Sequence, residues 1–339
     1  MTRSRLFVLA SAIVVAMGVI AGLGALWLDS ARAAVGPLPA EALVLPADAR
    51  FVMGLDVKRF TASPFYARFA SQRGMRPEAL RELEEKTGLD PARDIDQIVI
   101  AGQGGGGATT KGLALALGRF DLYKLGRAIE TAPKAKASTL NHEGVTVYLF
   151  DEEAREPGAL AFLDEHSLLF GTRERVEAAI SSRTQGEAPL RSNAALMALL
   201  EKVKGGSTFW MVGDQSLLAG LPASIPAPGA GEGATVSLPA LRSLIVTGDL
   251  DPQVSLAITG EASDEMAARN LADVVRGFLA LANLQAGQRP ELARLTSAVS
   301  VTTEANRVLV SARVPYEVLE ALQPKPAVKP EAKEPAEPK

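Results

Sequence analysis

The sequence predicts an α+β protein: two related units of largely antiparallel sheet with helices packed on one face, carried behind an N-terminal transmembrane helix. Three observations predict it. Residues 6 to 28 contain no charged side chain, apolar strands recur in pairs that read as hairpins, and the order strand, hairpin, capped helix, hairpin, helix occurs twice.

The uncharged run from Leu6 to Leu28 is 23 residues long, preceded by Arg3 and Arg5 and followed by Asp29. At about 1.5 Å per residue such a helix reaches roughly 34 Å, enough for a hydrocarbon layer of about 30 Å. The arginines keep the N-terminus cytoplasmic and send the remainder to a periplasmic or extracellular space. The alternative is a signal peptide with small residues at Ala31 and Ala33, cleaved before Ala34 to release a secreted protein. Residues 1–33 are therefore a signal-anchor or signal peptide. Gly18 and Gly22 form a GxxxG pattern that lets membrane helices approach closely, which makes them candidate helix-packing residues. Pro37, Pro39 and Pro46 mark residues 34–46 as an extended tether.

The first unit, residues 47–204, opens with the strand Phe51–Asp56 and a helix at Pro77–Thr87. It continues through the hairpin Ile98–Gly102 with Leu113–Gly118, then a helix Leu122–Ala132 capped by Asp121. Strands Val145–Phe150, Ala159–Leu163 and Ser167–Phe170 follow, then a helix Arg173–Arg183 capped by Thr172. A connecting helix, Ser192–Val203, stops at Gly205 and Gly206, where the domain boundary falls. The second unit, residues 205–323, repeats the order. It has a strand Thr208–Asp214, the hairpin Leu244–Gly248 with Ser255–Gly260, and a helix Asp264–Gln285 capped by Ser263. Strands Ala298–Thr303 and Val308–Val314 and a last helix, Tyr316–Leu322, close it. Gly102 and Gly248 stand 146 residues apart, Gly118 and Gly260 142. Short hairpin turns imply antiparallel pairing. A Pro- and Gly-rich loop runs from Gly220 to Pro239, and residues 324–339 form a disordered Pro/Lys/Glu tail.

Composition removes several chemistries. A net charge of −3 offers no general attraction to nucleic acid, and no run of Lys and Arg is interleaved with aromatics. With no cysteine there is no disulfide, thiolate nucleophile, Cys-ligated metal or lipidated N-terminal Cys. Gly102-Gln103-Gly104-Gly105-Gly106-Gly107 satisfies GxGxxG, with Asp121 19 residues beyond Gly102. However, a dinucleotide site needs a helix after the glycines, and Leu113–Leu117 reads as a strand. The two histidines, His142 and His166, sit in polar turns and read as turn residues rather than metal ligands. GxSxG, SxxK and HExxH are absent. Asp90, Asp94 and Asp96, with Asp249 and Asp251, could supply a carboxylate pair for glycoside hydrolysis, but Asp before a strand is ordinary turn chemistry. No catalytic residue, cofactor or metal is expected.

The stretch from Leu45 to Phe69, with Thr87-Gly88-Leu89-Asp90-Pro91, Asp94-Ile95-Asp96 and Gly118-Arg119-Phe120-Asp121, resembles uncharacterised membrane-anchored or lipid-tethered bacterial proteins. The resemblance implies an exported α+β region on a membrane segment and carries no catalytic residues. The expected function is that of a non-enzymatic, membrane-anchored envelope protein acting as a binding or assembly module, with an envelope protein as partner. The alternative is a carrier of an apolar ligand or lipid in a cleft between the units, suggested by the Gly220–Pro239 loop. A hydrolase with a carboxylate site comes third.

Overall fold

The structure is a computed structural model and describes residues 38–69, 81, 84–103, 112–131, 137–150, 157–203, 205–218, 224–226, 235–237, 239–285 and 290–321. The segment 1–33, with Gly18 and Gly22, and the tail 324–339 lie outside these residues, as do most of the 77–87 helix and of the 220–239 loop. Among the described residues no helix is long and apolar enough to cross a membrane.

Twelve strands form one sheet. They are β1 (Phe51–Asp56), β2 (Ile95–Gly102), β3 (Gly112–Gly118), β4 (Ser138–His142), β5 (Val145–Phe150), β6 (Gly158–Asp164), β7 (Ser167–Thr172), β8 (Phe209–Asp214), β11 (Leu241–Asp249), β12 (Val254–Ala262), β13 (Val299–Glu304) and β14 (Arg307–Val314). Their order is β13-β14-β12-β11-β8-β1-β2-β3-β7-β6-β5-β4, and each printed pairing is antiparallel. The sheet runs without a break across residue 205 because β1 pairs with β8, Met53 opposite Met211. The ladder is closed at its ends by Asp56 N–H to Thr208 O (2.8 Å) and Asp214 N–H to Arg50 O (3.0 Å). Within the 220–239 loop two short strands, β9 (Ser224–Pro226) and β10 (Thr235–Ser237), pair with each other.

Helices cover both faces of the sheet, not one. On the first face α1 (Val57–Ala62), α2 (Pro64–Phe69), α4 (Leu122–Thr131) and α10 (Tyr316–Ala321) bury Phe60, Phe65, Leu125 and Leu319 against Leu55, Ile98, Ala116, Leu160 and Leu168. The short α3 (Pro91–Asp94) leads into β2, and α8 (Glu265–Gln285) and α9 (Pro290–Ser297) extend this layer, Ala268 and Ala272 of α8 packing on Val308. On the second face α5 (Arg173–Thr184) and α6 (Ala194–Leu200) bury Val176, Ile180 and Leu196 against Val52, Val99, Leu115, Leu169 and Trp210. The four-residue α7 (Gln215–Leu218) follows β8. The reason lies in the strands: Leu113 to Ala116 are buried at consecutive positions, so β3 needs cover on both sides.

Other local expectations are corrected. Of the 34–46 tether, the part from residue 38 is folded: Ala40–Val44 makes a 3₁₀ turn, and Ala42 and Leu45 are wholly buried on the second face because they are apolar within a short Pro-bounded run. Thr172 stands at the N-cap of α5 but makes no side-chain cap bond. Asp264, not Ser263, caps α8, accepting from the Ala267 N–H at 2.8 Å, while the Ser263 hydroxyl bonds the Asp264 carboxylate. Finally, Ala262 rather than Gly260 occupies the position opposite Leu241 that Gly118 holds opposite Ile95.

Candidate functional site

A cleft of about 730 Å³ opens beside α5, bounded by that helix, the end of β4 and the segment around Asp48. Helix α5 is placed by its apolar stripe: Val176, Ala179 and Ile180 face the sheet. Its charges suit the helix dipole, with Glu174 in the first turn and Arg183 in the last. A left-handed Gly186, φ +69°, ends it. The stripe at helical spacing on another side, Glu174, Glu177, Ala178 and Ser181, lines the cleft.

One wall is an ion pair fixed by a third group. Arg175 binds Asp48 with both terminal nitrogens, at 2.5 and 2.7 Å, and Gln103 Nε2 donates to Asp48 Oδ2 at 2.7 Å. The Arg175 hydrogen bond holds the Asp48 carboxyl below the ordinary carboxylate range, against a smaller upward push from burial. In turn Asp48 raises the Arg175 guanidinium. Beside them Arg173 Nε donates to Glu177 Oε1 at 2.8 Å.

At the far end His142 Nε2 lies 2.9 Å from Ser181 Oγ, and Ser181 Oγ donates to Glu143 Oε1 at 2.7 Å. A serine, a histidine and a carboxylate meet here, but with the wrong connectivity for nucleophilic catalysis. A triad needs the serine proton on the histidine and the carboxylate on the other ring nitrogen. Here the serine proton goes to Glu143, so His142 donates Nε2–H to Ser181. The network ties the β4–β5 turn to α5.

The other sequence-derived candidates do not converge on this cleft. Gly102 ends β2, and β3 returns antiparallel from Gly112, with Gly102 opposite Gly112, so no helix follows the glycines; residues 104–111 lie outside the described residues. Asp121 caps α4 through the Lys124 N–H at 3.0 Å. His166 Nδ1 contacts Gly118 O at 3.0 Å, and among the described residues no group of three His, Cys, Asp or Glu could hold a metal. Asp90 caps α3, Asp94 takes two bonds from Arg93 at 2.9 Å, and Asp96 pairs with Lys58. Burial pushes the Asp94 carboxyl up, but the bonds from Arg93 and the Asp90 N–H outweigh it and hold the group low. Asp249 accepts the Thr208 hydroxyl at 2.8 Å, and Asp251 stands near Tyr316, whose phenol burial pushes up to about 12. Each carboxylate serves a turn, cap or pair. Sequence reasoning missed Asp48, Gln103, Arg175 and Ser181; Asp48 and Arg175 stand 127 residues apart, and no spacing rule joins them.

Fold and cleft together define an α+β protein with a twelve-stranded antiparallel sheet and a polar cleft under one margin. No family model matches the chain, and no curated protein matches it. Among solved structures, "Structure of crystal form I of TP0453" is similar at 12% sequence identity with a TM-score of 0.44, covering 85% of this chain and 96% of that one. The likeness is weak, and neither a family nor an activity follows from it.

Proposed function

We propose that the chain is a non-enzymatic binding or assembly module of a cell envelope, built of two related α+β units and held at a membrane by residues 6–28. The observation that carries the binding reading is the cleft beside α5, whose walls are preset by the Arg175–Asp48–Gln103 group and whose one serine–histidine contact is committed to Glu143. Fixed polar walls favour recognition of a ligand with complementary charges over turnover.

Several registers support the two related units. Met53 and Met211 face each other across β1 and β8 and are 158 residues apart, as are the helix caps Asp56 and Asp214, so a local twofold through the methionine pair exchanges them. Register shifts fall between Ile95 and Gln97 in one hairpin and between Leu241 and Ser243 in the other, both 146 apart. Gly118 N–H donates to His166 O at 3.0 Å; Ala262 N–H donates to Asn306 O at 2.9 Å. Such paired irregularities are features of a fold, not of antiparallel sheets in general. The membrane reading rests on the uncharged run behind Arg3 and Arg5.

A photo-crosslinking residue in place of Ala178, in full-length protein in its own membranes, tests the module. A discrete crosslinked partner is expected. Turnover of any substrate abolished by Ser181→Ala or His142→Ala would sink the non-enzymatic reading. For the anchor, the mass of the mature N-terminus decides: a chain that starts at Ala34 ends that part of the proposal.

A further inference from the structure

The two margins of the sheet are treated differently. At β13 the guanidinium of Arg276, from α8, donates to the Val301 carbonyl at 3.1 Å, which blunts that edge. At β4 no such side chain reaches the strand among the described residues. The β4–β5 turn is the two-residue Glu143-Gly144, both at positive φ (49° and 86°), with His142 opposite Val145. In a hairpin of this type the flanking pair is hydrogen-bonded, so pairing alternates and the backbone groups of Thr139 and Asn141 point away from β5. Both residues are exposed.

This open margin ends at the cleft. His142 closes β4 and lines the cleft with Glu174, Glu177 and Ser181 of α5. The two guanidinia there are neutralised, Arg175 by Asp48 and Arg173 by Glu177. Glu174 has no cation within 4 Å among the described residues, and Glu143 is held only by the Ser181 hydroxyl and a 4.0 Å approach to His142. The uncompensated charge at the margin is therefore acidic.

We propose that β4 takes up an extended basic segment of a partner protein as an added strand, its backbone bonded to Thr139 and Asn141 and alternate cationic side chains directed to Glu174 and Glu143. This rests on the binding-module reading and gives it a partner class. Strand addition supplies affinity through the main chain and selectivity through every second side chain.

The probe is a fluorescent dodecapeptide of alternating lysine and threonine, titrated into the full-length protein and followed by anisotropy and amide exchange. Binding that weakens severalfold between 50 and 500 mM salt, with slowed exchange at Thr139 and Asn141, is expected. Thr139→Pro removes an outward donor at an edge position where proline is tolerated, so the fold should persist by circular dichroism while binding falls at least tenfold. Glu174→Gln should weaken it about threefold. Equal binding by an alternating glutamate–threonine peptide, full binding by Thr139→Pro, or no binding at millimolar peptide would each overturn the proposal. A partner crosslinked at Ala178 with β4 amides still exchanging freely would overturn strand addition and leave the module reading standing; no crosslink at all would overturn the module.

Discussion

The half of the sheet made by β3, β7, β6 and β5 is buried on both faces, whereas the half made by β12, β14 and β13 is buried on one. In the first, Leu113, Ala114, Leu115 and Ala116 are all buried in sequence. In the second, β13 alternates: Ser300, Thr302 and Glu304 are exposed while Val299, Val301 and Thr303 are half-buried. Arg307, Ser311 and Arg313 of β14 are exposed in the same way. The difference comes from where one helix goes. After β7 the chain forms α5 on the second face, but after β14 it forms α10 on the first, where Tyr316, Val318 and Leu319 join the core with Phe65 and Phe69. Similar strand order thus tolerates opposite helix placement, provided the strand residues are rewritten from continuous apolar runs to alternation.

Leu115→Ala probes that contrast most severely. The side chain is wholly buried in the doubly covered half, so its loss should cost about 2–5 kcal/mol. Ser311→Ala on the open face should change stability by no more than about 0.5 kcal/mol. Urea denaturation of both variants gives the comparison, and similar losses would mean that the second half is covered as well.

The strands were largely legible, because their apolar runs are bounded by Gly, Asp and Pro and because β1 and β5 match their expected limits. The two-sided burial was written in Ile98-Val99-Ile100-Ala101 and Leu113-Ala114-Leu115-Ala116-Leu117, yet hairpin connections suggested a sheet with one solvated face. β4 escaped notice because Ser138-Thr139-Leu140-Asn141-His142 has one apolar residue and packs by pairing with β5. The short helices α1 and α2 were also hidden, since Phe60, Phe65 and Phe69 gain their meaning only from contact with Tyr66 and Tyr316. For the cleft, local pattern carried nothing: Asp48, Gln103 and Arg175 belong to three separate segments that only the fold assembles.

A second contrast lies within a shared motif. In each half a phenylalanine faces a glycine across the central strands, Phe51 opposite Gly102 and Phe209 opposite Gly248. A Cβ at Gly102 would lie 3.1 Å from the Phe51 ring; at Gly248 it would lie 2.0 Å from the Phe209 ring. Gly248→Ala should therefore displace its aromatic and cost about 1–3 kcal/mol, while Gly102→Ala costs less. Near-UV circular dichroism should change for the first and hardly for the second. The reverse order would show that the first half is the tighter one at this position.

The acid dependence of stability separates the cleft wall from the open half. Asp48 titrates below an unfolded aspartate, ~3.9, so its contribution is present above about pH 4 and fades as pH falls through its lowered value. Its side chain is half exposed, which limits the pair to about 0.2–1 kcal/mol at neutral pH. Asp48→Asn should be less stable than the parent at pH 7 by that amount, and the gap should narrow progressively below pH 4. A gap that persists at pH 2 would assign the loss to packing instead.

The smallest effect distinguishes two neighbouring residues in the second half. Ser263 precedes α8 with the composition of an N-cap, but its hydroxyl points to Asp264, and Asp264 holds the Ala267 N–H. The Ala267 bond is the first-listed influence keeping the Asp264 carboxyl low, with the Ser263 hydroxyl next. Asp264→Ala removes the cap and a negative charge from the positive end of the helix, whereas Ser263→Ala removes only a bond that steadies the cap. Thermal unfolding should show a lower Tm for Asp264→Ala than for Ser263→Ala. The equivalent residue of the first half, Asp121, caps α4 through Lys124, so Asp121→Ala should fall with Asp264→Ala. If Ser263→Ala proved the more damaging, the helix would begin one residue earlier and the match between the two capped helices would be lost.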